Sequence, residues 1–228
     1  TFAKHLDVLR KGSKLDHPLH VMLLGCHALV PMLLCEMQGD TGAAIVFFAI
    51  FLAMSLSAGI KLRYFAALGG IVLVALPLLW MFVMKDYQKA RFTAVFNLED
   101  PTVQMEDGYQ QYQGRISMGS GRLDGTGLFN GTRVANKSVP FQQSDYIFSV
   151  AGEELGFIGC SLILLLLLLF MAKVLHVAST SRDDLGRYIC FGFFGMIALQ
   201  SVSNIGMCLA LLPAMGVTLP FFSAGGSS

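Results

Sequence analysis

The chain has 228 residues, of which 54% are hydrophobic and 14% are charged, and its formal net charge at pH 7 is +1. A charge so close to zero argues against a nucleic-acid partner, which needs a strongly basic surface. The apolar residues gather in runs of about 20, the length that crosses a bilayer, so the composition excludes an ordinary soluble domain. The five cysteines have no metal-type spacing and are interpreted as small apolar residues.

The start and end of the chain indicate a piece of a longer protein. Residues 1–5, Thr-Phe-Ala-Lys-His, are typical of the tail of an earlier helix, with neither a start methionine nor a signal sequence. The chain stops at 225–228, a few residues into a final apolar stretch. We therefore expect earlier helices, and the end of the last one, to be missing.

The apolar runs predict an all-α fold: a polytopic integral membrane helical bundle, treated as one domain over 1–228, with one large extracytoplasmic loop. Each run must be helical, because lipid offers no partner to an exposed backbone amide. Residues 162–170 are apolar all round, whereas a soluble helix would carry one apolar stripe. The predicted spans lie near 19–36, 43–60, 64–84, 147–172 and 188–211, with the start of another at 217.

Lysines and arginines predict the orientation, because such residues stay in the cytoplasm. They cluster before the first span, after the second, and between the fourth and fifth: Lys4, Arg10, Lys11, Lys14, Lys61, Arg63, Lys173, Arg182 and Arg187. The short loops 37–42 and 212–216 have none. This pattern places the polar segment 86–145 outside the cytoplasm.

Two features inside the spans are interpreted as packing groups. Gln200 and Asn204 share one face of the fifth span at i, i+4, a spacing typical of helix–helix hydrogen bonds. His27 lies mid-span without a partner at helical spacing, which favours a hydrogen-bonded packing residue over a metal ligand.

The polar segment 86–145 has two parts. Residues 86–98 have apolar positions spaced for a short interfacial helix, with Lys89 and Arg91 near headgroup level and an end at Pro101. A simple anchor and a role with substrate both remain open for it. Residues 108–139 are rich in Gly, Gln and Ser, which favours a flexible loop, although successive amides there can form an anion nest. Neither glycine motif of nucleotide sites is present.

Acidic residues gather on the outer side. Ser144 and Asp145 stand where the fourth span begins, so Asp145 fits a helix cap and also a general base at the mouth of the helix. Glu153 and Glu154 lie two turns further on, and carboxylates at membrane depth usually face a cavity or a hydrogen-bonding partner. Asp40, in the outer turn between the first two spans, is either a cap or a pocket acid.

Five motifs in order cover nearly the whole chain. They are Gln38-Gly-Asp-Thr-Gly-Ala-Ala; Gly108-Tyr-Gln with Gln113; Ile116-Ser-Met-Gly-Ser-Gly with Gly125-Thr-Gly; Ser144-Asp-Tyr-Ile-Phe-Ser-Val-Ala-Gly-Glu-Glu-Leu-Gly; and Leu199-Gln, Asn204-Ile-Gly and Leu219-Pro-Phe-Phe-Ser-Ala-Gly-Gly-Ser-Ser. Together they resemble the SEDS family, the polytopic RodA and FtsW proteins of bacterial envelope growth. One such motif is weak evidence, whereas five in order are specific.

The resemblance implies a ten-helix membrane glycosyltransferase of the bacterial cytoplasmic (inner) membrane. Such an enzyme polymerises lipid II into glycan strands, releases undecaprenyl pyrophosphate and works with a class B penicillin-binding protein. Asp145 takes the position of the family's essential aspartate, the general base. Substrate contacts are expected at Asp40, Gln110, Gln113, Arg115, Ser117, Ser120, Glu153 and Glu154. Arg115, the glycine nest or a divalent cation (Mg²⁺ or Mn²⁺) beside Asp145 or Asp40 would neutralise the leaving group; no metal ligand is assigned.

The chain departs from the family pattern at the rim of this expected pocket. Gly125-Thr126-Gly127 replaces Gly-Lys-Gly, Pro140-Phe141 replaces Pro-Glu, Gln143-Ser144 replaces His-Thr, and Gly39 replaces Pro. These changes leave open a divergent acceptor or a weakened activity. The division, elongation or sporulation role also stays open.

Two other functions are alternatives: a lipid II flippase or transporter, and a non-catalytic scaffold of the cell-wall synthesis complex. A flippase needs polar residues through the whole bilayer, whereas a polymerase can confine them to one face. Mid-depth positions here are nearly all apolar, and Asp145, Glu153 and Asp40 fall on one side. The distribution favours chemistry over transport.

Overall fold

The computed structural model describes residues 1–12, 15 and 17–224, without the side chain of Val83. Lys14 of the orientation argument and residues 225–228 of the last motif lie outside the described residues. Within that part the chain is helical and has no strand, which confirms the all-α prediction. The helices are α1 (Phe2–Lys11), α2 (Pro18–Met37), α3 (Thr41–Ser57), α4 (Leu62–Leu78, continued by a π-helical turn Leu79–Val83), α5 (Asp86–Phe96), α6 (Pro101–Met105), α7 (Tyr109–Ser120), α8 (Thr132–Ala135), α9 (Ile147–Thr180) and α10 (Asp184–Cys208).

Four helices of the described part are long and apolar enough to cross a membrane: Pro18–Met37, Leu62–Phe82, Ile147–Thr180 and Asp184–Cys208. The predicted span 43–60 corresponds to α3, an apolar helix of 17 residues. At 1.5 Å per residue α3 is about 25 Å long, near the lower limit for crossing a hydrocarbon core of about 30 Å. No helix forms over 217–224, where a further span was expected to start. Pro220 disfavours a helical conformation at the residue before it.

The chain divides into two compact units, Thr1–Val83 with Phe170–Leu199, and Met84–Leu169 with Gln200–Ser228. In the first unit α2 packs along α3, and α1 packs against both. Buried apolar side chains, among them Leu6, Leu24 and Ile60, hold α1 in place. The buried carboxylate of Asp7 is paired with Lys11 at 3.0 Å and with Lys4 at 3.4 Å.

The second unit contains the polar segment, which is more ordered than its composition suggests. Residues 109–120 form helix α7, so the interpretation of 108–139 as a flexible loop is wrong for this stretch. Gly114 explains part of this order: a Cβ here would lie 2.8 Å from Cδ1 of Tyr146, so glycine lets α7 pack closely against the start of α9. The interfacial helix 86–98 appears as α5, but Pro101 begins α6 instead of ending α5. Proline suits the first turn of a helix, where its missing N–H is not needed.

Helix α9 is interrupted at Gly156, whose φ of 67° and ψ of −166° leave the helical region. The polar loop bonds to the main chain on both sides of this kink. The N–H groups of Thr126 and Gly127 donate to the carbonyls of Glu153 and Glu154, at 2.9 and 3.0 Å. In the other direction, the N–H groups of 157 and 158 donate to the carbonyls of 122 and 123, at 2.9 and 3.1 Å. Main-chain groups freed by the kink thus find partners in the loop, which fixes the loop on α9.

Candidate functional site

Asp145 lies in a tight turn that leads into α9, which begins two residues later at Ile147. The N–H groups of residues 144, 145 and 146 all donate to the carbonyl of Phe141, at 3.1 to 3.3 Å. Phe141 itself has a positive φ of 52°, a strained conformation for a bulky residue. The turn presents the half-buried Asp145 at the N-terminal end of an apolar helix.

Asn204 of α10 fixes this turn from one side. Its Nδ2 donates to the main-chain carbonyl of Asp145 at 2.7 Å and to that of Val217 at 2.8 Å. The side chain is completely buried. Sequence spacing predicts helix–helix hydrogen bonding for Asn204, whereas the structure shows it bonded to the main chain of two non-helical segments.

The segment that follows α10 fixes the turn from another side. Ser223 donates its hydroxyl hydrogen to the carbonyl of Ser144 at 2.6 Å, and the N–H of Ala224 donates to the carbonyl of Gln143 at 2.8 Å. Gly216, with a φ of 66°, lies beside the carboxylate: a Cβ there would be 3.8 Å from Oδ2 of Asp145. A positive φ at this close approach suits glycine.

A cation and a phenol accompany Asp145. Burial raises the pKa of Tyr146 well above its usual value; smaller contributions come from Cys208 and Asp145, which raise it, and from Arg91, which lowers it. Arg91 also donates from Nη1 to the carbonyl of Ala214 at 3.5 Å. Among the described residues, the Tyr146 hydroxyl has no hydrogen-bond partner.

Arg115 lies in different surroundings from those predicted for a leaving-group cation. It is exposed and borders a cavity of about 330 Å³ between the end of α5 and the start of α6. Glu99 and Asp100 border the same cavity. Hydrogen bonds from the Thr102 hydroxyl and main-chain N–H lower the pKa of Asp100, which keeps it charged. An anion bound at Arg115 would be repelled by these two carboxylates, which line the same cavity. A role for Arg115 in binding phosphate stays a prediction.

Glu153 is enclosed by protein. Its side chain is 0% exposed; one oxygen accepts a hydrogen bond from the hydroxyl of Ser117, and the other accepts from the main-chain N–H of Arg133 at 2.9 Å. The Arg133 guanidinium donates to Oε1 of Gln113 at 2.7 Å. Three predicted substrate contacts, Gln113, Ser117 and Glu153, are therefore brought together in one network. The contacts of this network join helices α7, α8 and α9.

The remaining predicted residues occupy separate places. Ser120 donates to the carbonyl of Ser117 at 2.6 Å, within the last turn of α7. Gln110 is half-buried on α7, and Glu154 is 8% exposed on α9. Asp40 belongs to the first unit, where its Oδ1 accepts from the N–H of Ala43 at 2.9 Å and caps α3. The capping alternative for Asp40 is thus observed, and its substrate contact stays a prediction.

Sequence reasoning missed the role of Arg133, which carries no motif, and the double hydrogen bond of Asn204. The only sign of this role in the sequence is that Asn204 is a polar residue within an apolar span. Among the described residues, no group of three or more His, Cys, Asp or Glu side chains is arranged to hold a metal ion. A divalent cation at Asp145 or Asp40 would need substrate or water oxygens to complete its shell, and it stays a prediction.

The fold and this site define a polytopic membrane protein in which a polar helix-and-loop segment packs on a span that carries Asp145 at its N-terminal end. The chain belongs to the FtsW/RodA/SpoVE family of cell cycle proteins, whose family model matches residues 2–228. The resemblance drawn from the five motifs is thereby confirmed.

Three named relatives are 34–36% identical to the chain over the aligned residues. Probable peptidoglycan glycosyltransferase FtsW of Geobacter sulfurreducens is 36% identical over 201 residues, 87% of this chain and 52% of the relative. Peptidoglycan glycosyltransferase MrdB of Escherichia coli is 34% identical over 200 residues, 87% and 53% respectively. Stage V sporulation protein E of Bacillus subtilis is 36% identical over 192 residues, 84% and 51%. The chain thus spans about half the length of these curated relatives.

A solved structure has the same fold. It is a chain from a study of how a peptidoglycan synthase complex coordinates polymerization and crosslinking, and it superposes with a TM-score of 0.69 at 28% identity. The match covers 90% of this chain and 55% of the other.

Proposed function

We propose that this chain carries the catalytic aspartate of a peptidoglycan glycosyltransferase that polymerises lipid II at the outer face of the bacterial inner membrane. The observation that carries the proposal is the position of Asp145. Asp145 is half-buried in the turn that precedes the apolar helix α9, and its main chain is held by Asn204 and by the Phe141 turn. Membership of a family whose relatives are named peptidoglycan glycosyltransferases supplies the reaction class.

The chemistry needs one base. Asp145 accepts the proton of the acceptor sugar's 4-hydroxyl as that oxygen forms a bond to the anomeric carbon of the donor. The bond from the anomeric carbon to the pyrophosphate oxygen breaks, and undecaprenyl pyrophosphate leaves with the electron pair. Attack opposite to the departing group inverts the anomeric centre. The N-terminus of α9 favours the ionised form of Asp145, which is the form that acts as base.

The leaving pyrophosphate develops negative charge, which a nearby cation stabilises. Arg91 is suited to this task because it reaches from helix α5 to the carbonyl of Ala214, two residues before the Gly216 that lies beside Asp145. This position favours a role with substrate for α5 over a simple anchor, the two alternatives that the sequence leaves open. Arg115 and a divalent cation, Mg²⁺ or Mn²⁺, remain further candidates.

Glu153 and Ser117 act as positioning residues in this proposal. Both groups are buried and bonded to each other, so their hydrogen bonds hold α7 and the loop in place over α9. Rigid support of this kind keeps a reacting carboxylate within reach of its substrate.

Partnership with a class B penicillin-binding protein is part of the proposal. The solved structure that this chain resembles comes from a complex in which polymerization and crosslinking are coordinated. Crosslinking is the task of a transpeptidase, so an enzyme of that class is the expected partner.

The test compares purified protein carrying Asp145 or Asp145→Asn, in the presence of lipid II and the cognate penicillin-binding protein. Asparagine keeps the size and much of the capping ability of aspartate but cannot accept the proton, so we expect loss of glycan strands at unchanged membrane level and melting temperature. Equal glycan output from both proteins would contradict the base assignment and favour a scaffold.

A further inference from the structure

The segment of residues 209–219, termed the strap, follows α10 without forming a helix or a strand. Its first turn is closed against α10, where the N–H groups of residues 211 and 212 donate to the carbonyl of Gly206 at 2.8 and 3.1 Å. In the part of the chain that the structure describes, residues 213–218 make no hydrogen bond between main-chain groups. Side chains of other elements therefore set the course of the strap.

Gln111 of α7 holds the start of the strap. Its Nε2 donates to the carbonyl of Leu212 at 2.6 Å, a contact between residues 101 apart in the chain. The Gln111 side chain is only 1% exposed. Because water has little access to a group so buried, loss of the donor would leave the Leu212 carbonyl unpaired.

Two further side chains donate to carbonyls of the strap. Arg91 of α5 reaches the carbonyl of Ala214 at 3.5 Å, a long contact on an exposed side chain. Asn204 of α10 is completely buried and donates to the carbonyl of Val217 at 2.8 Å. The two buried amides, Gln111 and Asn204, therefore hold the strap at its two ends.

Between these two attachments the strap lies beside the proposed base. A Cβ at Gly216 would be 3.8 Å from Oδ2 of Asp145, so the main chain of the strap borders the carboxylate. Asn204 bonds to the Asp145 turn as well as to the strap, whereas the bond from Gln111 goes to the strap alone. A change at Gln111 thus moves the strap and leaves the Asn204 bond to the turn intact.

Gln111 also belongs to the buried face of α7. Gln111, Gly114 and Ser117 are spaced three residues apart and share that face. Gly114 packs against Tyr146, which follows Asp145, and Ser117 is hydrogen-bonded to Glu153 of α9. One face of α7 therefore contacts the strap, the start of α9 and the enclosed carboxylate, and Gln111 supplies the first of these contacts.

We propose that Gln111 is a positioning residue of glycosyl transfer, which holds the strap so that Gly216 lies beside the carboxylate of Asp145. Gln111 acts through the strap and does not touch the reacting atoms. The inference rests on the proposed function, in which Asp145 is the general base. A displacement of about 1 Å near a reacting group can cost 100-fold in rate, so the place of the strap affects catalysis. The competing role for Gln111 is a hydrogen bond that stabilises the fold alone.

The experiment compares Gln111→Met with the unsubstituted protein, in the presence of lipid II and the cognate penicillin-binding protein. Methionine keeps the unbranched shape of glutamine but has no donor for the Leu212 carbonyl. We expect kcat per folded molecule to fall by about 10- to 100-fold. The matched control is Gln104→Met, because Nε2 of Gln104 makes the same kind of bond, to the carbonyl of Leu98 at 3.1 Å, away from the strap. The control should lower the melting temperature to a similar degree and change kcat little.

A double-substitution cycle separates positioning from a general loss of stability. Gln111→Met and Gly216→Ala both disturb the strap beside Asp145, so the double variant should be much faster than the product of the two single effects. Gln104→Met and Gly216→Ala act at separate places, so their effects on kcat should multiply. Multiplying effects in both pairs, or equal loss of kcat in Gln111→Met and Gln104→Met, would overturn the proposal.

Hydrogen exchange tests the strap without relying on activity. The amides of Leu211 and Leu219 are bonded near the two ends of the strap, to the carbonyl of Gly206 and the hydroxyl oxygen of Ser223, both at 2.8 Å. They should exchange faster in Gln111→Met and at an unchanged rate in Gln104→Met. Unchanged exchange in Gln111→Met would overturn the role of Gln111 and leave Asp145 as the base. Absence of glycan strands from the unsubstituted protein would instead overturn the proposed function.

Discussion

The side-chain amide of Asn204 joins the main chain of Asp145 to that of Val217, with hydrogen bonds of 2.7 and 2.8 Å. A single buried amide thus spans the turn before α9 and the segment after α10. The bonds go to main-chain carbonyls, so they fix where the Asp145 turn lies. The position of Asp145 therefore depends on a residue of α10.

Replacing Asn204 with Leu should lower polymerisation by about 10- to 100-fold while Asp145 remains intact. Each buried carbonyl left without a partner costs about 1–3 kcal/mol, and a displacement of about 1 Å at a reacting group can cost 100-fold in rate. The measurement is glycan synthesis from lipid II, with the melting temperature recorded alongside. Gln200→Leu, one turn earlier on α10, is the matched control and should retain most activity. Equal loss in both variants would indicate a general effect of polarity in α10.

The enclosed carboxylate of Glu153 supports a prediction about stability. Glu153→Ala leaves the Arg133 N–H and the Ser117 hydroxyl without their acceptor and opens a cavity, so we expect a loss of about 3 kcal/mol or more in unfolding free energy. Glu153→Gln keeps an oxygen for Arg133 and an N–H for Ser117, so its loss should be smaller. Thermal unfolding in detergent measures both. A Gln variant as unstable as the Ala variant would mean that the charge, and not the hydrogen bonding, is needed.

Much of the fold could be predicted from the apolar runs, because a long apolar run in lipid must pair its own backbone amides within a helix. The predicted span 147–172 and helix α9 share their start at Ile147, and the predicted span 188–211 overlaps α10 over most of its length. The structure of the polar segment was harder to predict. Its glycines indicate conformational freedom, whereas Gly114 allows α7 to pack closely against Tyr146. A local pattern cannot distinguish these two uses of glycine.

The candidate site could likewise be predicted only in part from the sequence. Asp145 was found through a motif, but the partners that fix it come from distant parts of the chain. Asn204 is 59 residues away and Ser223 bonds to Ser144 across 79 residues. Such contacts leave no periodic signal. The enclosure of Glu153 by Ser117 and Arg133 was hidden for the same reason.

The proposed role of Arg91 can be separated from a general effect of positive charge on α5. Arg91→Gln should lower polymerisation by at least about tenfold, because removal of a group that stabilises developing negative charge usually costs more than that. Lys89→Gln, two residues earlier on the same helix, is the matched control and should change the rate little. Lipid II turnover at saturating substrate measures both variants. Equal effects would indicate that α5 acts as a membrane anchor.

Two glycines at the end of α7, Gly119 and Gly121, differ in how closely they approach α9, and substituting each one tests how tightly the polar loop docks there. A Cβ at Gly121 would lie only 1.9 Å from the carbonyl oxygen of Gly152, whereas a Cβ at Gly119 would meet nothing within 4 Å. Gly121→Ala must therefore push the loop away from the α9 kink, where residues 122–127 make their main-chain hydrogen bonds. We expect it to lower both the melting temperature and polymerisation.

The matched control is Gly119→Ala, which lies within the helix. It should be neutral or stabilising by up to about 1 kcal/mol, because alanine has a higher helix propensity than glycine. Limited proteolysis of the loop, faster in Gly121→Ala alone, would locate the damage; equal behaviour of the two variants would contradict the tight docking.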